Sequence, residues 1–211
     1  MNNLAIYGAG GLGREALVLM QQVNAQQPRW HVLGFFDDGK SKGDWIEGLP
    51  VLGGLHDVNA WKDTLALCVA IGEPLMRNKI VGNITNPLIH FPTLIHPACN
   101  AGISNVIGQG SVLCSGVQLT LKITIGEFVW VNLNATVGHD VRIGNFTSLM
   151  PAVNLSGNVA IGDACYLGVG ASVLQNLVIG ERSVIGAGAV VTRSFPALSK
   201  LVGVPAKPVT A

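Results

Sequence analysis

Charge is scarce in this sequence, and what there is nearly cancels: 13 lysines and arginines stand against 12 aspartates and glutamates in 211 residues. So balanced a chain assembles neither a basic nucleic-acid groove nor a polybasic membrane anchor. Long apolar runs are missing too. Hydrophobic residues make up 49% of the chain, yet they come in short stretches such as LALCVAI at residues 65–71. None approaches the roughly 20 residues of a membrane span, so membrane insertion is not expected. The opening MNNLAIYGAG has no basic segment and no cleavage site, which argues against a signal peptide. No two of the four cysteines, Cys68, Cys99, Cys114 and Cys165, lie within four residues of each other. Zinc-type spacing is therefore absent and no metal is expected. Buried, reduced thiols in a cytoplasmic protein are the expectation.

What is present is a period. Stepping by six from Ile95 to Val191 meets seventeen positions, all aliphatic, without a slip in register. The dipeptide Ile-Gly recurs at Ile107, Ile125, Ile143, Ile161 and Ile179, every 18 residues. A short fixed period over about a hundred residues predicts a solenoid, and a period of six predicts a parallel β-helix with three sides per coil. Position i+4 of the hexad is small or aliphatic (Ser111, Val117, Val129, Ala135, Ala171, Ala189), as a second inward position in a narrow prism requires. Glycine at i+1 suits corners that need positive φ or close backbone approach.

Ahead of the repeats the pattern is different. A strand over residues 4–7 runs into GAGGLGRE at residues 8–15, and a helical pattern follows with Leu12, Ala16, Leu19 and Val23 on one face. Gly8, Gly10 and Gly13 match G-x-G-x-x-G in the strand–turn–helix setting that motif requires. A second strand over residues 32–36 ends in Asp37-Asp38-Gly39, and a polar excursion follows to Pro50. A third strand falls at 65–71, before a helix that would bury Met76, Ile80, Val81 and Ile84. This is a small Rossmann-like unit of three strands over residues 1–85. A proline-containing linker at 86–94, the β-helix at 95–192 and a non-repeating tail at 193–211 complete the expected organisation.

The glycine turn admits three readings. It could hold a dinucleotide pyrophosphate, with Asp37 or Asp38 on the ribose. It could hold a nucleotide-linked sugar, with Gly8, Gly10, Gly11 and Gly13 around the phosphates and Asp37 and Asp38 also binding the nucleotide. It could be a tight strand–helix turn without a ligand. Three strands are too few for a full dinucleotide fold. Of five histidines, His31, His56, His90, His96 and His139, only His139 lies well inside the repeats. It occupies the outward position i+2, where a neighbouring subunit could meet it. Histidine's pKa lies near operating pH, so a side chain there is suited to act as a general base. Asp140 follows directly, but neighbours in a strand point to opposite faces, so pairing needs a corner. One coil period on is Gly157, whose amide is suited to a developing oxyanion.

The repeats resemble the hexapeptide-repeat acyltransferases. The series GAGGLGRE, FFDDG, LPVLGG, AIG, a proline linker, VGHD and GVPAK resembles the PglD/NeuD-type sugar acyltransferases over nearly the whole chain. That resemblance implies a left-handed β-helix, a homotrimer, acetyl-CoA as co-substrate and a nucleotide-linked amino sugar or a sialic acid as acceptor. It implies His139 as general base with Asp140 tuning it, and the Gly157 amide on the acetyl carbonyl. Acetyl-CoA would lie along Gly168, Gly170, Gly186 and Ala187. Two positions depart from the family pattern: Leu12 and Ser148 stand where histidines are common. Ser148, nine residues past the base, would still offer acetyl-CoA a hydrogen bond. N-acetylation of a nucleotide-linked amino sugar is the expected activity. O-acetylation of a sialic or related acid and a non-catalytic scaffold remain as alternatives, with a dehydrogenase the weakest.

Overall fold

A computed structural model describes residues 1–209. The chain forms two compact units, Met1–Pro92 and a second from Thr93 onward.

The first unit comprises β1 (Asn2–Tyr7), α1 (Gly11–Gln26), β2 (Trp30–Phe36), β3 (Trp45–Ile46), β4 (Leu49–Gly53), α2 (Leu55–Asn59), β5 (Leu65–Val69), α3 (Pro74–Gly82) and β6 (Ile89–His90). Its sheet has the order β3-β4-β2-β1-β5-β6, parallel except for the β3–β4 hairpin. β5 is buried at every position, as a strand covered on both faces must be.

This unit is larger than three strands. The excursion before Pro50 is a hairpin whose turn residues Glu47 and Gly48 both have positive φ, 47° and 78°, the backbone hand that favours tight hairpins. Residues 89–90, expected in the linker, instead pair with β5. Proline blocks helix but not a short edge strand. The face of α3 also differs from expectation. Met76 is 48% exposed, and Arg77 is buried together with Pro74, with Ile80, Val81 and Ile84 half-buried against the core. The helix starts with Pro74 at N1, and the Glu73 carboxylate accepts from the Leu75 and Met76 N–H groups.

The second unit is a parallel β-helix. β7 (Leu94–Ile95) opens it, and two-residue strands follow every six residues. Three sheets result. Sheet I stacks Gln118–Leu119, Thr136–Val137, Asn154–Leu155, Ser172–Val173 and Val190–Val191. Sheet II stacks the strands that end in Ile107, Ile125, Ile143, Ile161 and Ile179, and sheet III those from Leu94–Ile95 to Val184–Ile185 and beyond. The five Ile-Gly isoleucines are direct Cα partners in one ladder, and four of them are 1–3% exposed. Each buried aliphatic side chain contributes about 1.5–3 kcal/mol, which strands of two residues could not supply by backbone pairing alone.

Positive φ falls at i+3 rather than at the i+1 glycine. Asn134 (57°), Asp140 (60°), Phe146 (58°) and Asn158 (57°) are examples. Glycine at i+1 answers the other need, close approach: a Cβ on Gly126 would lie 2.8 Å from the Asn145 nitrogen one coil on. The tail, although it lacks the repeat, continues the stack. Phe195 bridges to Ile179, and the strand Lys200–Val202 pairs with Val184–Ile185, then with Lys207–Pro208 antiparallel. Leu201 and Ala206 close the end of the core. Residues 210–211 of the expected tail lie outside the described residues.

Candidate active site

Each coil turns from sheet I to sheet II through a four-residue corner. One such corner is Gly138-His139-Asp140-Val141, between Thr136–Val137 and Arg142–Ile143. Val141 is fully buried and anchors it. The left-handed φ of Asp140, 60°, breaks strand alternation and swings its carboxylate beside its neighbour. Aspartate tolerates that conformation better than most residues. His139 Nδ1 and Asp140 Oδ2 are 2.8 Å apart, so the carboxylate holds the proton on Nδ1 and leaves Nε2 as the acceptor. Both side chains are open to solvent, 61% and 48% exposed. Backbone bonds pin the corner from both sides. Asp140 N donates to Leu121 O (3.1 Å), and Asn158 N donates to His139 O (2.7 Å).

Gly157 stacks on His139 one coil further on. A Cβ there would lie 2.4 Å from Nε2; only glycine leaves the imidazole its place. The Gly157 carbonyl accepts from Asn176 N at 3.1 Å, while its N–H donates to no other described residue. The corner therefore brings together an imidazole, a carboxylate that orients it and an amide N–H with no acceptor among the described residues.

The expected acetyl-CoA residues are elsewhere on the chain. Gly168, Gly170, Gly186 and Ala187 sit on the corners from sheet III to sheet I, the opposite edge of sheet I from His139. Gly168 packs on Ala187, where an added Cβ would be 2.6 Å from the Ala187 nitrogen, while Gly170 opens to space with φ 69°. Ser148 lies on sheet III, paired with Trp130 and Tyr166, and is fully buried. A single chain does not bring this group to the imidazole. Elsewhere, His96 is buried, and its Nδ1 accepts from Ala98 N (2.9 Å). Burial pushes its pKa down, as a structural neutral imidazole requires.

In the first unit the glycines divide by task. Gly8 has φ 104°, and a Cβ on it would meet Ala70 O at 2.7 Å; a Cβ on Gly13 would meet Gly8 O at 1.8 Å. Both are needed for backbone packing. Gly10 and Gly11, at the start of α1, face open space and line a depression of ≈ 450 Å³ with Arg14, Lys40, Trp45 and Glu47. Leu12 instead turns toward Gly72.

Both aspartates are held by the protein itself. Asp37 Oδ2 accepts from Ala9 N (2.7 Å) and Oδ1 from Gly39 N (2.8 Å), tying the glycine turn to the end of β2. Asp38 Oδ1 accepts from Leu55 N (2.8 Å), and Oδ2 from the buried Tyr7 hydroxyl. Burial first, then Asp38, drives the Tyr7 pKa upward. They shape the turn, and each carboxylate keeps further lone pairs. Tyr7, Arg14, Lys40 and Trp45 escaped the sequence reading. For Tyr7 the available signal was its place directly before the first glycine.

Family models match two parts of the chain: the PglD N-terminal domain at residues 3–84 and the bacterial transferase hexapeptide at residues 158–193. GDP-perosamine N-acetyltransferase of Escherichia coli O157:H7 is 32% identical over 158 residues, 74% of this chain and 71% of that protein. The acetyltransferase domain of PglB from Neisseria gonorrhoeae superposes with a TM-score of 0.90 at 32% identity, covering 99% of this chain and 100% of that one. PerB from Caulobacter crescentus, solved with CoA and GDP-perosamine, gives 0.89 at 31% identity, covering 100% and 98%. Identity of 32% to a curated acetyltransferase over 74% of the chain, together with the hexapeptide match, makes this protein a hexapeptide-repeat acyltransferase. Within that class the chain belongs to the PglD-like sugar acyltransferases.

Proposed function

We propose that the protein is an acetyl-CoA-dependent N-acetyltransferase acting on the amino group of a nucleotide-linked sugar, with His139 as general base. The observation that carries this is the arrangement at one corner: Asp140 Oδ2 2.8 Å from His139 Nδ1, and the far ring nitrogen over Gly157. A sugar ammonium gives up one proton to solvent before its nitrogen can attack a thioester, and the attacking amine has a second to lose. Nε2 accepts a proton from the amine as the nitrogen bonds to the acetyl carbonyl carbon. Negative charge gathers on the carbonyl oxygen, where the Gly157 N–H can donate. Collapse breaks the C–S bond, and the imidazolium returns its proton to the departing thiolate. Asp140 stabilises the imidazolium between these steps.

The nucleotide belongs to the first unit, at Gly10 and Gly11, with Arg14 and Lys40 beside the phosphates. The reading includes a homotrimer. In one chain the residues assigned to acetyl-CoA and to the base occupy opposite edges of sheet I, so a neighbouring copy would complete the site. Exposed apolar side chains line both edges, Leu133 and Val169 on one, Ile103 and Leu121 on the other, as surfaces that self-associate do. Its compartment would be the cytoplasm, where cysteines that form no disulfide, as these four do not, stay reduced.

The test is thiol release from acetyl-CoA across a panel of UDP-, GDP- and CMP-linked amino sugars and their hydroxyl counterparts. Release with an amino sugar supports the reading. Release only with hydroxyl acceptors would turn it into O-acetylation, and none with any acceptor would remove it. Sedimentation at micromolar concentration tests the trimer, which a monomer would contradict.

A further inference from the structure

The chain has four tryptophans, and three are packed. Trp30 and Trp130 are buried, and Trp61 meets Phe36 edge to face with ring centroids 5.7 Å apart. Trp45 is 72% exposed. A single exposed apolar side chain usually needs no explanation, but the setting of this one is specific. It lines the depression that also holds Gly10, Gly11, Arg14 and Lys40. Its backbone is tightly held. Trp45 pairs with Pro50 across the hairpin, Val51 N donates to Asp44 O (2.7 Å), and Gly43 N donates to Val51 O (2.9 Å). The turn residue Glu47 reaches Arg14 of α1 at 3.3 Å. That pair is half exposed and contributes little stability.

From this we propose that Trp45 is the platform on which the base of the nucleotide-linked substrate stacks. The inference rests on the function proposed above and assigns a residue to base recognition, which the glycine turn and its cations cannot provide. Phosphates need N–H donors and positive charge, which Gly10, Gly11, Arg14 and Lys40 supply. A nucleobase presents a flat π face, and an indole matches it over a large area without reading base edges. Placed on the same depression as the phosphate donors, Trp45 serves the part of the ligand one ribose away from them. Stacking tolerates different bases, so affinity follows stacking area, with guanine and adenine nucleotides ahead of uridine and cytidine.

The experiment uses the full-length wild type, Trp45→Phe and Trp45→Ala. Tryptophan emission is followed during titration with GDP, UDP and inorganic pyrophosphate, and KM is measured for the sugar nucleotide and for acetyl-CoA. GDP and UDP should quench wild-type emission, GDP at lower concentration, and pyrophosphate should not. Trp45→Ala should raise the sugar-nucleotide KM roughly 5- to 100-fold, with kcat and the acetyl-CoA KM unchanged. Trp45→Phe should recover most of the loss. An unchanged sugar-nucleotide KM in Trp45→Ala, or equal weakening toward GDP and pyrophosphate, overturns the assignment. So does a variant whose only change is its sedimentation, since Trp45 would then be a contact between copies. If the wild type turns over and Trp45→Ala matches it, stacking alone falls. If the wild type neither binds a nucleotide nor releases thiol, the proposed function falls with it.

Discussion

The space above the imidazole of His139 exists because residue 157 is glycine. A Cβ there would lie 2.4 Å from Nε2 and 2.6 Å from Cε1. Gly157 is outside the left-handed region, since the positive-φ glycines do not include it, so alanine fits its backbone. Gly157→Ala should therefore leave the coil folded and push the ring aside. Its kcat should fall toward that of His139→Ala, and the double variant should be little worse than either single one, as expected for residues acting as a unit. Circular dichroism and steady-state kinetics read the two effects separately. Wild-type kcat in Gly157→Ala would show that the ring position is not critical.

His139→Ala should keep assembly and both KM values while lowering kcat, because general-base catalysis contributes about 10²–10⁴-fold. The side chain is 61% exposed and supplies no ladder packing. Residual activity should rise with pH as hydroxide frees more of the amine. Near wild-type kcat at neutral pH would move the base elsewhere, Asp140 first.

Replacing Asp38 with alanine removes the acceptor of the Tyr7 hydroxyl and of Leu55 N. Tyr7 is 2% exposed, and an unsatisfied buried hydroxyl costs about 1–3 kcal/mol. Asp38→Ala should thus lower the denaturation midpoint and raise the sugar-nucleotide KM, leaving the acetyl-CoA KM alone. Asp38→Asn, whose Oδ1 can still accept from Leu55 N while its Nδ2 donates to the Tyr7 hydroxyl oxygen, should recover part of the stability. Equal loss of both affinities would contradict the assignment of the nucleotide to the first unit.

Ile161 sits mid-ladder, paired with Ile143 and Ile179 and 3% exposed. Ile161→Ala should destabilise by about 2–5 kcal/mol. Arg142→Ala, on the exposed face of the same sheet, should stay within about 0.5 kcal/mol of wild type. Urea midpoints compare them. Similar midpoints for the two would mean the ladder is not what holds the coils.

Much of the second unit was legible because its determinants are local. A side chain every sixth residue points inward whatever lies far away, so the isoleucine ladder and the 18-residue pairing of His139 with Gly157 follow from counting. The pairing of His139 with Asp140 was open in the sequence, because strand alternation forbids it and only the positive φ at Asp140 permits it. The face of α3 was misjudged by one residue: apolar spacing favoured Met76, whereas Arg77 is buried.

The sequence by itself determined the coil, its period, the outward histidine and the glycine turn, since each is encoded within one or two turns of chain. Tertiary structure alone decided the rest. It drew β6 out of the expected linker, folded β3 and β4 beside the glycine turn, and closed the last coil with a tail that has no repeat. It occupied both carboxylates of Asp37 and Asp38 with the chain's own donors, and it set Gly168, Gly170, Gly186 and Ala187 on the edge of sheet I away from His139. The physical reason is common to all of these. Backbone pairing and side-chain hydrogen bonds between distant segments depend on which donors and acceptors meet once the coils are stacked, and no local periodicity records that.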